Sequence, residues 1–197
     1  LGMSEKKYAG PLPAPAPAMP AGRWPGRVIA CVDLNAFYPS CEELREHSLR
    51  GRPHAVIMTD QPAGMITKGV VSSCSYEARR FGVRSAMPLA RALALCSDLV
   101  LRPVDIEYYA QVSEKVMEVL AGFADVLEQA SIDEAFLDCT ARAGTNPHQH
   151  AAQIKRAVRE RCGLGASVGV APSKSAAKIA SDFKKPDGLT VIHPDGL

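Results

Sequence analysis

Ser131-Ile132-Asp133-Glu134-Ala135-Phe136-Leu137-Asp138 sets two neighbouring carboxylates between apolar runs, at 124–127 on one side and 135–137 on the other. Apolar stretches flanking a short polar pair predict two strands joined by a tight turn. Side chains alternate between faces along a strand, but a turn interrupts the alternation and lets Asp133 and Glu134 aim at one point. Two carboxylates held together repel unless a cation lies between them, and hard oxygen ligands favour magnesium. Turns are commonly acidic, so an ordinary solvated pair is the alternative. A third acid in a matching context separates the two readings, and Asp33 is that acid.

Working outward, residues 28–32 form a continuous apolar run of strand length that ends at Asp33. Pro39 suits the first turn of a following helix, where its missing N–H would be unsatisfied anyway. Ser40 and Glu43 have capping-box spacing, although a cap at Ser40 leaves Pro39 outside the helix. The helix is expected to reach about His47, before Gly51-Arg52-Pro53 breaks it. Then come a strand at 55–58, a loop at 61–64, a strand at 70–74 and a short helix at 76–81 stopped by Gly82. A helix at 89–95 and a strand at 99–101 follow. Ile106, Tyr109, Val112, Val116, Val119, Leu120 and Phe123 recur at helical spacing and predict a long amphipathic helix with these residues in the core. Beyond the acidic hairpin and a loop at 144–147, Ala151, Ile154, Val158 and Cys162 line another helix. A strand at 166–170, a helix at 173–182 capped by Ser173, and a strand at 189–192 complete the chain.

Setting residues 52–102 aside leaves strand, helix, strand, strand, helix, strand, over 28–33, 106–123, 124–130, 135–139, 151–162 and 166–170. That is the order of the split βαβ, ferredoxin-like arrangement, so the expected class is α+β with a small α/β insertion. The first and third strands are central neighbours there, which brings Asp33 toward Asp133 and Glu134 on one edge of the sheet. An aspartate ending a strand also suits capping the next helix, and the fold alone selects no function.

Composition excludes several classes. The 197 residues suffice for one or two domains, and 47% hydrophobic with 22% charged residues are globular proportions. A net charge of +2 gives no case for nucleic acid by itself. The basic clusters at 79–80, 155–156, 159–161 and 184–185 read as solvated faces unless a motif says otherwise. Cys31, Cys41, Cys74, Cys96, Cys139 and Cys162 include no Cys-x-x-Cys pair, which argues against zinc and disulfides and for a reducing, cytoplasmic setting. The histidines show no ligand spacing, no apolar run approaches the ~18 residues of a membrane span, and there is no signal-peptide pattern. Residues 1–26 form a Pro/Ala-rich, polyproline-prone leader expected to pack poorly, in which Leu1-Gly2 before Met3 reads as an expression scar. The folded part is expected to begin at Arg27.

Five blocks then stand out: Val32-Asp33-Leu34-Asn35-Ala36-Phe37-Tyr38, Cys74-Ser75-Tyr76-Glu77-Ala78-Arg79-Arg80-Phe81-Gly82-Val83, Ser85-Ala86-Met87-Pro88, the 131–138 hairpin, and Gly169 through Lys178 to Lys185-Pro186-Asp187-Gly188. In this order they resemble the Y-family, lesion-bypass DNA polymerases, close to the polymerase IV (DinB-like) branch. The resemblance spans nearly the whole chain after residue 27. It implies a palm at 27–51 and 103–197, fingers inserted at 52–102, and template-directed addition of deoxynucleotides to a primer 3′ end. It also implies two Mg²⁺ ions as cofactors, with primer-template DNA and deoxynucleoside triphosphates as partners. Such chemistry needs acidic ligands, cations for the triphosphate and a pocket that orients the sugar.

By the same resemblance Asp33 and Asp133 bridge both metals, Glu134 completes the primer-side site, and the Leu34 carbonyl adds an oxygen ligand. Tyr38 stands at the steric gate, where its ring would collide with a ribose 2′-OH. Tyr76, Arg79 and Lys185 match the positions that hold the incoming triphosphate, since a guanidinium fork and an ammonium suit phosphate oxygens; Ser73 adds a hydroxyl. The alternatives are core packing for Tyr38, an acid-paired surface arginine for Arg79 and a solvated loop lysine for Lys185. Asp138 reads as structural. Asn35 stands where relatives often carry a second aspartate, and Pro39 directly follows the gate residue.

Thumb and little-finger domains, with most of the duplex grip, are expected beyond Leu197, as is the tail through which a sliding clamp would bind. Two competing readings carry specific expectations. A non-catalytic repair scaffold would have lost an acid at 33, 133 or 134, and all three are present. A nucleotide cyclase would show a glycine-rich turn with paired acids and would leave the 76–83 and 185–188 blocks unexplained.

Overall fold

In the computed structural model, which describes residues 24–144 and 146–196, the chain divides into two compact units. One holds the residues up to Asn35 together with those from Val112 onward; the other is Ala36–Gln111, wider than the insertion read from the sequence. Residues 1–23 of the expected leader lie outside the described residues. In chain order the elements begin β1 (Ile29–Leu34), α1 (Phe37–Arg45), β2 (His54–Met58), β3 (Val70–Cys74), α2 (Tyr76–Arg80) and α3 (Leu89–Leu95). They continue with β4 (Val100–Pro103), α4 (Ile106–Ala121), β5 (Val126–Gln129) and β6 (Glu134–Asp138). The last are α5 (Pro147–Cys162), β7 (Ala166–Ala171), α6 (Lys174–Asp182) and β8 (Leu189–Val191).

The first unit is a five-stranded sheet ordered β5-β6-β1-β7-β8. Its first four strands pair antiparallel, as the split βαβ order requires, and β8 adds to β7 in parallel. Register fixes what each face carries, because directly opposed residues share a face. Asp33 stands opposite Glu134 on β6 and Ser167 on β7, and Cys31 stands opposite Phe136 and Gly169. Ile29 and Cys31 join Ala171 and Ala177 in an apolar cluster with Phe136 and Ile192 against it. Asp33 and Glu134 thus stand at one end of the face that carries Ile29, Cys31 and Phe136. The intervening residues, among them Ala30, Val32, Leu137, Val168 and Val170, are all buried on the opposite face.

α6 packs on β7 and β1, and α5 on β7 and β8. Gly169 lets α6 lie directly on β7: an added Cβ would sit 2.2 Å from both the Ala177 carbonyl oxygen and the Ser181 nitrogen. Ser173 caps α6 as expected, its hydroxyl accepting the Ala176 N–H. All six cysteines are free, and burial pushes the Cys31 and Cys139 thiols up to about 12. Both stay protonated at neutral pH and act as small apolar side chains.

The second unit holds a three-stranded sheet ordered β3-β2-β4, with β2 antiparallel to β3 and parallel to β4. Ala55, Ile57, Val71 and Cys74 from the strands pack with Ala78, Val83, Leu89 and Ala92. Ser75 caps α2 by accepting the Ala78 N–H.

Local departures from the sequence reading have physical causes. α1 begins at Phe37 behind Ala36, whose φ of 41° is left-handed, and ends at Arg45. Ser40 therefore lies inside the first turn, its N–H bonded to the Ala36 carbonyl, and builds no capping box. Ile106, expected in the core, is half exposed because it opens α4, whereas Ser113 and Met117 on the same helix are buried. Order begins before Arg27: Trp24 is buried, donates its indole N–H to the Arg27 carbonyl at 2.9 Å and meets the His193 ring edge-on. No helix among the described residues is long and apolar enough to cross a membrane.

Candidate active site

The hairpin that opened the sequence reading is β5–β6, and the segment joining its strands ends at Asp133, so Glu134 is the first residue of β6. The Leu34 N–H donates to the Asp133 carbonyl at 2.9 Å, continuing the β1–β6 ladder past Asp33. Leu34 itself is buried. Asp33 and Glu134 are mostly buried, with side chains 13% and 18% exposed, which leaves each a narrow opening to solvent. Asp133 behaves differently: its carboxylate accepts the Ser131 hydroxyl at 2.7 Å. The structure thus brings Asp33 and Glu134 together and holds the third carboxylate on its own turn.

Two ammonium groups meet this edge from the α6 side. Lys178 donates to Asp33 at 2.8 Å and to Glu134, bridging the opposed carboxylates. Lys185, just past α6, donates to Asp33 at 2.7 Å and pairs with Asp182 at 2.7 Å. Burial pulls the Lys178 ammonium down, but its bonds to Asp33 and Glu134 outweigh burial and raise it. Lys185 is raised in the same way, against burial, by Asp182 and Asp33. Asp182 is held below the usual carboxylate range by its bond from Lys185. Asn35, buried beside this edge, accepts the Ser167 hydroxyl at 2.8 Å and so serves as an anchor of β1 on β7.

The remaining candidates lie in the second unit. Tyr38, half buried on α1, stacks on the ring of Tyr109 with centroids 4.5 Å apart and planes inclined by 20°. Tyr109 is buried and donates its hydroxyl to Glu42 at 2.6 Å; Glu42 also takes Arg45, which reaches on to Asp105 at 2.8 Å. Ser73 lies on β3, and α2 carries Tyr76 and Arg79. The Arg79 guanidinium sits 4.8 Å above the Tyr76 ring and donates to the Cys74 carbonyl at 3.2 Å. Asp138 is structural, accepting Arg27 at 2.7 Å and the Thr140 hydroxyl.

Sequence reasoning missed Lys178 and Asp182 as parts of the acidic edge. Helical spacing held the signal: Lys178 and Asp182 are one turn apart on α6, and Lys185 follows three residues later.

The impB/mucB/samB family model matches residues 32–182. The chain belongs to this family, the Y-family polymerases. Among Y-family relatives, a DNA polymerase IV of Methanoculleus marisnigri is 53% identical over 171 residues, covering 86% of this chain and 47% of that protein. A DNA polymerase IV of Bacteroides fragilis is 46% identical, covering 86% of this chain and 45% of its own length. Of solved structures, an insertion ternary complex of Dbh DNA polymerase superposes with a TM-score of 0.80 at 34% identity, over 86% of this chain and 49% of that one. DinB from Sulfolobus solfataricus gives 0.79 at 34% identity, over 85% and 49%. The chain thus spans about half the length of the relatives it matches.

Family membership implies a general dependence on divalent metal. Among the described residues, no three His, Cys, Asp or Glu side chains stand ready as a metal cluster, and Asp133 is bonded to Ser131. The donor chemistry nonetheless fits. Asp33 and Glu134 are hard oxygen ligands from adjacent strands that already converge on one cation, the Lys178 ammonium.

Proposed function

We propose that this chain is the catalytic part of a translesion DNA-directed DNA polymerase, adding deoxynucleotides to a primer 3′ end. One observation carries the reading: in a chain of this family, Asp33 and Glu134 converge on a single cation at a sheet edge, with Lys185 beside them. Asp33, Asp133 and Glu134, with the Leu34 carbonyl, would hold two Mg²⁺ ions. When bound, the ions supply activation of the 3′ oxygen and neutralisation of the leaving pyrophosphate.

The other roles follow from side-chain chemistry. Lys185 presents a flexible ammonium to triphosphate oxygens, and Arg79, braced on Tyr76 and the Cys74 carbonyl, presents a guanidinium fork with Ser73 nearby in sequence. Tyr38 acts as the steric gate. Stacking on Tyr109, which Glu42 holds, fixes the ring orientation that sugar discrimination needs. We assign the palm to 27–51 and 103–197 and the fingers to 52–102. Primer-template DNA and deoxynucleoside triphosphates are the partners, supported by the ternary complex among the structural neighbours. A sliding clamp is a further partner we assign to the whole protein. A cytoplasmic setting is supported by six free cysteines.

The test is Mg²⁺-dependent addition of one nucleotide to a primed template, with this chain and its Asp133→Ala variant. The same pair is run in a protein extended by the half its relatives carry. Addition that disappears with Asp133 is the expected result. Addition by the extended Asp133→Ala protein at the unaltered rate, or none by either unaltered form, overturns the proposal.

A further inference from the structure

The function above gives Lys178 no task, yet its ammonium occupies the point where Asp33 and Glu134 converge. These carboxylates are direct cross-strand partners. Like charges in that relation repel, so without a cation between them the end of β1 and the start of β6 would be pushed apart. A divalent ion needs the same oxygen lone pairs that Lys178 now uses, and the two cations cannot share them. One helical turn further along α6, the Asp182 carboxylate lies 3.9 Å from the Lys178 ammonium and already holds Lys185.

We propose that Lys178 is an internal stand-in for the metal: it keeps Asp33 and Glu134 converged in the metal-free protein and withdraws to Asp182 when a divalent cation arrives. The inference rests on the metal-binding part of the proposed function and adds a competitor to it. Asp33 and Glu134 face the Lys178 and Lys185 ammonium groups at this edge, so the net field that attracts a divalent ion is weak while Lys178 stays. Removing its charge strengthens that field and frees the ligands. Removing the Asp182 charge takes away the ammonium's alternative partner and holds it in the site. Lys178 is therefore a positioning residue whose presence lowers metal affinity in exchange for a preformed site.

Binding of Mn²⁺ alone tests this, with no nucleotide or DNA, read from the electron paramagnetic resonance of free Mn²⁺ and from the Mn²⁺-induced rise in Tm. Lys178→Met is expected to bind Mn²⁺ about three- to tenfold more tightly, with a lower Tm without metal and a larger rise on its addition. Asp182→Asn is expected to bind about two- to fivefold more weakly. Lys178→Gln repeats the first measurement should the methionine disturb folding, and Lys178→Arg should show no tightening. Mn²⁺ affinity unchanged or weakened in both Lys178→Met and Lys178→Gln overturns the stand-in. Asp33→Asn separates the two levels: if it abolishes Mn²⁺ binding while the Lys178 variants change nothing, only the stand-in fails. If Asp33→Asn binds Mn²⁺ like the unaltered chain, the metal site fails and the stand-in with it.

Discussion

Glu42 and Glu134 each meet a basic side chain at hydrogen-bond distance, one in each compact unit, but in contrasting company. Glu42 is 1% exposed and accepts two bonds from Arg45 and one from the Tyr109 hydroxyl, with Arg45 tied in turn to Asp105. Its partners come from its own unit, and burial together with the Glu42 bond pushes the Tyr109 phenol up so that it remains a donor. Glu134 shares the Lys178 ammonium with Asp33 and keeps an opening to solvent. The same carboxylate chemistry therefore builds a closed brace in one place and a lysine-bridged pair open to solvent in the other. Charge alone does not separate them; the difference lies in how many fixed donors saturate the oxygens.

Substitutions can break this contrast. Glu134→Gln should cut nucleotide addition by about a thousandfold or more, while urea unfolding changes by less than about 1 kcal/mol; a large stability loss would make Glu134 a brace as well. Glu42→Ala should do the reverse, costing about 3 kcal/mol in urea unfolding because Arg45 and the Tyr109 hydroxyl lose their shared acceptor. Tyr109→Phe removes one bond to a charged acceptor and should cost about 2 kcal/mol by the same measurement. If Tyr38 is the gate, the Phe variant should also admit ribonucleotides more readily, because the ring that Tyr38 stacks on has lost its anchor.

The brace should also be visible in pH dependence. Arg45 holds the Asp105 carboxyl below its ordinary value. A depressed carboxyl contributes stability above its unfolded pKa and loses it as pH falls, so this part should fade below about pH 4. Comparing urea midpoints at neutral and acid pH, Asp105→Asn should show the shallower decline; an equal decline would remove Asp105 from the brace. The smallest effect is expected at Lys174–Glu128, an exposed pair, where Glu128→Gln should change stability by no more than about 0.5 kcal/mol.

Much of the sheet unit was legible because its strands are short apolar runs and its helices carry helical spacing. The order of those runs alone predicts β1 between β6 and β7. Of the acidic edge, the Asp33–Glu134 pairing follows from register once β1 and β6 pair, whereas Asp133, expected to aim at one point with Glu134, accepts the Ser131 hydroxyl on its own turn instead. What escaped was set by tertiary partners. Glu42 reads as an ordinary helix-surface acid until Tyr109, 67 residues away, closes over it. Lys178 reads as a solvated helix lysine until α6 is laid on the sheet. Trp24 sits in a proline-rich context that gives no local hint of burial, and Ser40 lost its capping role to the left-handed backbone at Ala36.

Gly169 carries a consequence for how this site can diversify. With backbone atoms of α6 standing where a side chain on β7 would have to go, the gap between helix and sheet has no room for one. A lineage that needs a different metal response cannot reach it by small adjustments of spacing, because the first methyl group added there displaces a whole helix. The charges on that helix face no such barrier, since exchanging Lys178 or Asp182 leaves the backbone where it is. Inherited variation at this edge should accordingly accumulate in electrical character while its dimensions stay frozen, like an instrument retuned without moving its frets.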